Sequence, residues 1–342
     1  MSNSDNLVAL SGVPGSPYTR KMVALLRYRR IPYKLILGSR ELEGLPKAKV
    51  GLLPTFYFLD ADGQLQAVTD STPIIRRLEG MFPERPVRPS NPALAFLDAL
   101  LEDYGDEWLT KAMFHYRWHY ADDIARASAI LPSWTRGRVP DDVLKASGTM
   151  IAERQIPRLR YVGSNETTWA VIEASYMRFL DAMEAHLRDH AFLLGARPGA
   201  GDFGVYGQLT QLALFDPTPM AITAVRARRV FAWTGAVEDL TGLEPTEADW
   251  FEPTKLPETL KALLGEVGRV YAPLLIANAR AVQSGAEEVK TEIDGQAWVQ
   301  RPFTYQAKCL MWLREEYGAL DAGARAQVDA ALAGTGCEVL FA

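Results

Sequence analysis

The chain has 342 residues, 48% apolar and 23% charged, enough to bury a substantial core and to predict two domains. No apolar run nears the roughly 18 residues of a membrane span, and no signal-peptide core precedes the first strand, so no membrane partner is expected. Only two cysteines, Cys309 and Cys337, and four histidines without zinc-like spacing argue against a disulfide scaffold or a metal site and predict a cytoplasmic protein. The net charge of −5 is uneven: residues 1–92 carry 13 Lys and Arg against 8 Asp and Glu, and the remainder 24 against 34. A surplus that modest suits a small anion or a solvated surface. With no basic stripe interleaved with aromatics, nucleic acid is not an expected partner.

In chain order, Leu7–Leu10 reads as a strand, followed by a Gly- and Pro-rich turn and a segment, Met22–Tyr28, with helical apolar spacing. Strands follow at Tyr33–Leu37, Thr55–Leu59 and Leu65–Val68, with a short helix before the last pair and Asp60-Ala61-Asp62-Gly63 turning it as a hairpin. Ser71-Thr72-Pro73 starts the next helix. Strand–helix–strand followed by strand–strand–helix predicts a mixed, thioredoxin-like α/β sheet. Four prolines between Phe82 and Pro92 read as a stiff linker. Beyond it the pattern is helical, over about 92–130, 140–160, 169–190, 202–215, 226–240 and 257–284. A hairpin at Val289–Val299 with Asp294-Gly295 at its tip and two closing helices, 305–317 and 322–333, complete the chain.

The run Ser16-Pro17-Tyr18-Thr19-Arg20-Lys21 stands at a strand-to-helix turn. Free N–H groups and the positive end of the helix dipole converge there, so the place favours an anion, and a thiolate is one. Ser16 is equally a natural N-cap, and the two roles are compatible.

The order of a thioredoxin-like sheet followed by a helical domain resembles the glutathione S-transferase superfamily. Four local features carry the likeness: Ser16-Pro17; Leu53-Pro54 immediately before a strand; Asp70-Ser71 after the strand pair; and Pro198 to Asp202 leading into the helix from Phe203. The likeness covers about residues 7–240 and is to a Ser-type, bacterial member with an extended C-terminal region. It implies a glutathione-binding domain over 1–82, a linker over 83–92, an all-helical domain over 93–242 and an extension over 243–342.

By that resemblance, Ser16 donates a hydrogen bond to the sulfur of glutathione. A thiol of pKa about 8.5 is only a few per cent ionised at pH 7, and lowering it by about two units takes roughly 2.7 kcal/mol. One charge-assisted hydrogen bond of about 1.5–3 kcal/mol and a helix N-terminus at about 0.3–1 supply that. Leu53 and Pro54 are implied to form a cis bond presenting the Leu53 backbone to the tripeptide. Asp70 and Ser71 are implied to hold its α-amino and α-carboxylate groups, and Arg40 its glycyl carboxylate; the plain alternatives are a trans proline, an N-cap and a surface arginine.

Tyr104, Trp108, His115 and His119 share one face of the first helix past the linker. The resemblance makes Tyr104, Trp108 and His115 a wall for the electrophilic co-substrate; core or dimer contacts are the alternative. Gly199 lacks the hydroxyl of the family's Ser/Thr-x-x-Asp capping box, although Asp202 can still reach the cap's N–H. The resemblance implies a homodimeric glutathione transferase acting on an apolar electrophile, with glutathione as co-substrate. A non-catalytic binding or assembly protein, and glutathione-dependent ether cleavage or dehalogenation, are the other readings.

Overall fold

The structure is a computed structural model that describes residues 7–37 and 40–342. Its N-terminal layer consists of β1 (Val8–Ser11), α1 (Pro17–Tyr28), β2 (Tyr33–Ile36), β3 (Thr55–Leu59), β4 (Leu65–Val68) and α2 (Ser71–Met81). The sheet order is β2-β1-β3-β4, with β1 and β2 parallel and the other pairs antiparallel. Met22, Leu25, Leu26 and Tyr28 of α1 and Ile74, Ile75 and Leu78 of α2 are buried with Leu10 and Phe56 of the sheet. These are the apolar stripes that the helical spacing requires.

Register explains the placement of the loops. Ser11 pairs with both Ile36 and Thr55, and Phe56 pairs with Val68. The segments leaving β1, β2 and β4 and the segment entering β3 therefore emerge at one end of the sheet. Ser16, Arg40, Leu53-Pro54 and Asp70-Ser71 all lie on those segments.

Past the prolines come α3 (Pro92–Tyr104), a π-helical turn (Gly105–Leu109) and α4 (Thr110–His119), running as one long rod. Tyr120, with ψ 137°, ends it, so the single helix expected over 92–130 is broken there and α5 (Ala121–Ile130) starts anew. Next are α6 (Ser133–Arg136), α7 (Asp141–Gln155), α8 (Trp169–His186), α9 (Ala200–Leu212), α10 (Pro217–Arg226) and α11 (Arg228–Val237). Helix α10 is absent from the sequence reading because Pro217 and Pro219 look like breakers; both stand in its first turn, where proline costs little.

The last hundred residues form α12 (Glu258–Glu266), a second π turn, α13 (Ala272–Ser284), the β5 (Val289–Ile293) and β6 (Gln296–Gln300) hairpin, α14 (Thr304–Ala319) and α15 (Ala322–Leu332). Asp294 and Gly295 both have positive φ, as a tight two-residue hairpin turn demands. This extension packs on the rest of the chain: α12 on α8, and α14 and α15 on α3. No helix among the described residues is long and apolar enough to cross a membrane.

Every residue of α9 is buried. Its N-terminus is capped from elsewhere: Asp98 of α3 accepts hydrogen bonds from the Ala200 N–H (3.0 Å) and the Gly201 N–H (2.9 Å). A Cβ on Gly199 would stand 2.2 Å from an Asp98 oxygen, so the missing hydroxyl makes way for a carboxylate of another helix. Asp202 completes the turn by accepting from the Gly199 N–H at 2.9 Å and the Leu193 N–H at 2.9 Å.

Candidate active site

Ser16 is the N-cap of α1 and half-buried. Its Oγ accepts a hydrogen bond from the Thr19 N–H at 3.3 Å, which leaves the hydroxyl proton free to be donated. Pro17, at the first helical position, needs no N–H partner. The loop before Ser16 is fastened to the helical region. Arg117 Nη1 donates to the Gly15 carbonyl at 3.0 Å, and Gln211 Nε2 donates to the Pro14 carbonyl at 3.2 Å. Arg117 is itself locked by Asp216, which accepts from Nε at 2.9 Å and from Nη2 at 2.9 Å, and by Gln211 Oε1 at 2.6 Å. Burial pushes the Asp216 carboxyl up to about 6 although Arg117 pulls the other way. A Cβ at Gly15 would meet Leu131 and Trp134 within 2.6 Å, so those two half-buried apolar residues lie against the loop one residue before Ser16.

The Leu53–Pro54 peptide bond is cis, Leu53 is exposed and Pro54 is buried. Arg40 opens a short 3-10 turn, Arg40–Leu42, in the segment after β2; its side chain lies outside the described residues.

Asp70 has φ 84°, a left-handed value uncommon for aspartate, and does not cap its own helix. Its carboxylate accepts from the Tyr305 hydroxyl at 2.8 Å. Burial raises its pKa, opposed by that hydrogen bond and by Lys21. Ser71, at the first turn of α2, accepts from Lys21 Nζ at 3.0 Å. The same buried ammonium donates to Glu102 (2.7 Å) and Asp106 (2.6 Å), both on the α3 rod. Burial alone would lower the Lys21 pKa, but Asp106 and Glu102 outweigh it and hold the ammonium above its ordinary range. Burial pushes Asp106 up to about 6. Two carboxylates share one ammonium directly beneath Ser71, and Asp70 adds a third. The head of the site is therefore acidic overall, suited to a cationic group.

The aromatic wall expected on the long helix is corrected by the structure. Tyr104, Trp108 and His115 are 2%, 1% and 0% exposed and belong to the core. Trp108 lies 5.5 Å from Trp298 of β6 and donates Nε1–H to Ser175 of α8 at 3.0 Å. Tyr104 is held between Phe179 and Tyr271. His115 is paired with Ser164 at 2.9 Å and Glu173 at 3.1 Å, and burial lowers its pKa. Trp298 and Tyr271 belong to the extension, which covers the face that the shorter helical region alone would leave open. Trp134 is instead an aromatic residue that lies against the Ser16 loop, at Gly15. Its helix, α6, is only four residues long and gives no periodic signal, and the sequence assigns no role to Lys21, Arg117 and Tyr305 because their partners are 50 or more residues away.

A cleft of about 240 Å³ opens between α2, α3 and α14, with Thr72, Arg76, Tyr305 and Trp312 among its walls. It adjoins the Asp70 end and includes neither Ser16 nor Leu53, so the hydrogen-bonding groups rather than this cleft define the candidate site. Among the described residues no His, Cys, Asp and Glu group is arranged to hold a metal. Cys309 and Cys337 are buried free thiols.

A family model for the glutathione S-transferase N-terminal domain matches residues 10–86, and one for the C-terminal domain matches residues 152–236. The chain belongs to the glutathione S-transferase superfamily. Similar solved structures include a glutathione S-transferase from Rhodospirillum rubrum, at 16% identity over 68% of this chain and 87% of that one, TM-score 0.39. Another is a Pseudomonas fluorescens glutathione transferase family member with two glutathione bound, at 13% identity, 69% and 89% coverage, TM-score 0.41. A third is the beta-etherase LigF from Sphingobium, at 16% identity, 67% and 94% coverage, TM-score 0.47. No curated protein matches the sequence. Both transferase family models stop short of residue 243, so Trp298, which packs on Trp108, and Tyr305, which engages Asp70, lie in the part of this transferase-family chain beyond them.

Proposed function

We propose that the protein is a glutathione transferase-like enzyme in which Ser16 stabilises the thiolate of bound glutathione for attack on an apolar electrophile. The observation that carries this reading is the Ser16 hydroxyl: half-buried at a helix N-terminus, accepting from Thr19 and so left with a proton to donate. A sulfur above that turn meets one oriented O–H and the positive end of α1, which together lower its pKa. Leu53, exposed beside a cis proline, supports it as a backbone partner for the tripeptide, and the acidic Asp70 end supports it as a seat for the α-ammonium. Ser71 accepts from Lys21 at 3.0 Å and donates to Asp106 at 3.4 Å, so it would serve the α-carboxylate only by giving up that longer contact. Arg40 is the candidate for the glycyl carboxylate. The electrophile would approach past Leu131 and Trp134, and a homodimer is the family's expected assembly.

The test is calorimetric titration of the purified protein with glutathione, followed by a conjugation assay with a chlorodinitrobenzene. Binding and a glutathione-dependent rate above the uncatalysed one are expected. A second reading, a transferase-fold binding protein without catalysis, is favoured by the burial of Tyr104, Trp108 and His115, which removes the aromatic wall from the long helix. A cooperatively folded protein that neither binds glutathione nor accelerates conjugation selects that reading. Product analysis with aryl ethers and chlorinated aromatics separates conjugation from ether cleavage and dehalogenation.

A further inference from the structure

We propose that the C-terminal extension completes the head-group end of the ligand site, with Tyr305 as a positioning residue that aims the Asp70 carboxylate at the α-ammonium of a γ-glutamyl ligand. This rests on the glutathione reading above and extends it to the hundred residues beyond the transferase family models.

The Asp70 carboxylate does not cap α2, although it stands at that helix's N-cap position. It points instead to α14, where the Tyr305 hydroxyl donates to Oδ2 at 2.8 Å. A hydroxyl donor occupies one lone pair of a carboxylate and leaves the others for a cation. Removing that donor would leave the half-buried carboxylate steered only by the Thr72 N–H and by Lys21, on a backbone already at φ 84°.

Tyr305 is held too firmly to serve as a swinging lid. It sits in the first turn of α14, and the residue two before it, Phe303, is gripped on both sides by Asn278. The Phe303 N–H donates to Asn278 Oδ1 at 2.7 Å, and Asn278 Nδ2 donates to the Phe303 carbonyl at 2.8 Å. Gln306, next in sequence, donates to the buried Glu107 at 3.1 Å. Further along α14, Glu316 pairs with Arg76 and Arg88, which lie on α2 and just beyond it. The Tyr305 ring packs against Trp312 at 6.0 Å. The extension thus delivers one hydroxyl, at a fixed place, to the one site carboxylate that is not spent on Lys21.

The selectivity that follows is for ligands with a free α-ammonium. Lys21 is shared by Glu102 and Asp106, so a cation bound at Asp70 meets a surplus of negative charge, whereas a neutral or acylated head group meets an unbalanced one.

The experiment is calorimetric titration of the full chain and of Tyr305→Phe with glutathione and with the analogue lacking the α-amino group. A weakening of about fivefold to twentyfold for glutathione is expected in Tyr305→Phe, below the roughly tenfold to hundredfold of a direct hydrogen bond to a charged group because Tyr305 acts through Asp70. The des-amino analogue should bind both proteins equally and weakly. At saturating glutathione, turnover should stay within about twofold, so the effect falls on KM. In an Asp70→Asn background, Tyr305→Phe should add nothing, which separates positioning from general loosening of the fold. Unchanged glutathione affinity in Tyr305→Phe overturns the proposal. So does tighter binding, which would make α14 an obstruction, or an equal loss in both backgrounds. Failure of the unaltered chain to bind glutathione removes the parent reading as well.

Discussion

The end of the β-sheet and the face of the long α3–α4 rod are both rich in side chains able to do chemistry, yet their surroundings differ completely. At the sheet end, Ser16, Leu53 and Asp70 sit on loops, and each keeps a group at the surface or half-buried. Along the rod, Tyr104, Trp108 and His115 are enclosed and their polar atoms mostly matched within the protein. Helical spacing tells which residues share a face but not what covers it. Here the extension brings Trp298 and Tyr271 against Trp108 and Tyr104, while Ser164 and Glu173 close off His115. Loops at the end of a sheet cannot be enclosed so readily, because their backbone polar groups need water or a ligand.

The sharpest way to break this contrast is to truncate one residue on each side. Trp108→Ala should destabilise the protein by about 3–5 kcal/mol, as large-to-small changes in a packed core do, measured by urea or thermal unfolding. A change below about 1 kcal/mol, with a rise in KM for the electrophile, would return Trp108 to a substrate wall. Ser16→Ala should do the reverse. Conjugation should slow by about ten- to a thousandfold while glutathione still binds, and stability should change only by the loss of an N-cap, about 1 kcal/mol.

A smaller effect sharpens the picture of the enclosed rod through pH. Burial, with Asp103 adding to it, pushes Glu107 up to about 8. Folded protein therefore keeps a proton there that the unfolded chain gives up above its ordinary carboxylate range. With the folded pKa raised, stability falls as pH climbs from about 4.5 to about 8. Glu107→Gln, which still accepts from Gln306, should flatten that fall and gain about 2 kcal/mol over the parent near pH 8, read from unfolding midpoints across the range. An unaltered slope would show that Glu107 is ionised inside the fold.

Much of the architecture was legible from local pattern. The β3 and β4 strands, the Asp294-Gly295 hairpin and the two closing helices follow from alternation, turn chemistry and apolar spacing. The Leu53-Pro54 isomer was legible only through family likeness, since nothing in a dipeptide distinguishes a cis bond from a trans one. The cap on α9 was half legible: Asp202 was evident, whereas its helper, Asp98, lies about a hundred residues earlier. The same limit hid Lys21 beneath Ser71, Tyr305 against Asp70 and Trp134 beside Gly15. Each is a long-range contact between residues whose own neighbourhoods explain them fully as ordinary helix or loop members. Site residues on one short loop can be read from a sequence; those assembled from distant elements need the packing.

The Arg117 grip on the carbonyl just before Ser16 sets a lower bound on how small a working version of this protein can be. The guanidinium is anchored at Asp216, far along the chain. A fragment ending anywhere before that aspartate keeps the alcohol but frees the strand-to-helix elbow that carries it. The placement of that elbow is thereby a property of both halves of the chain together.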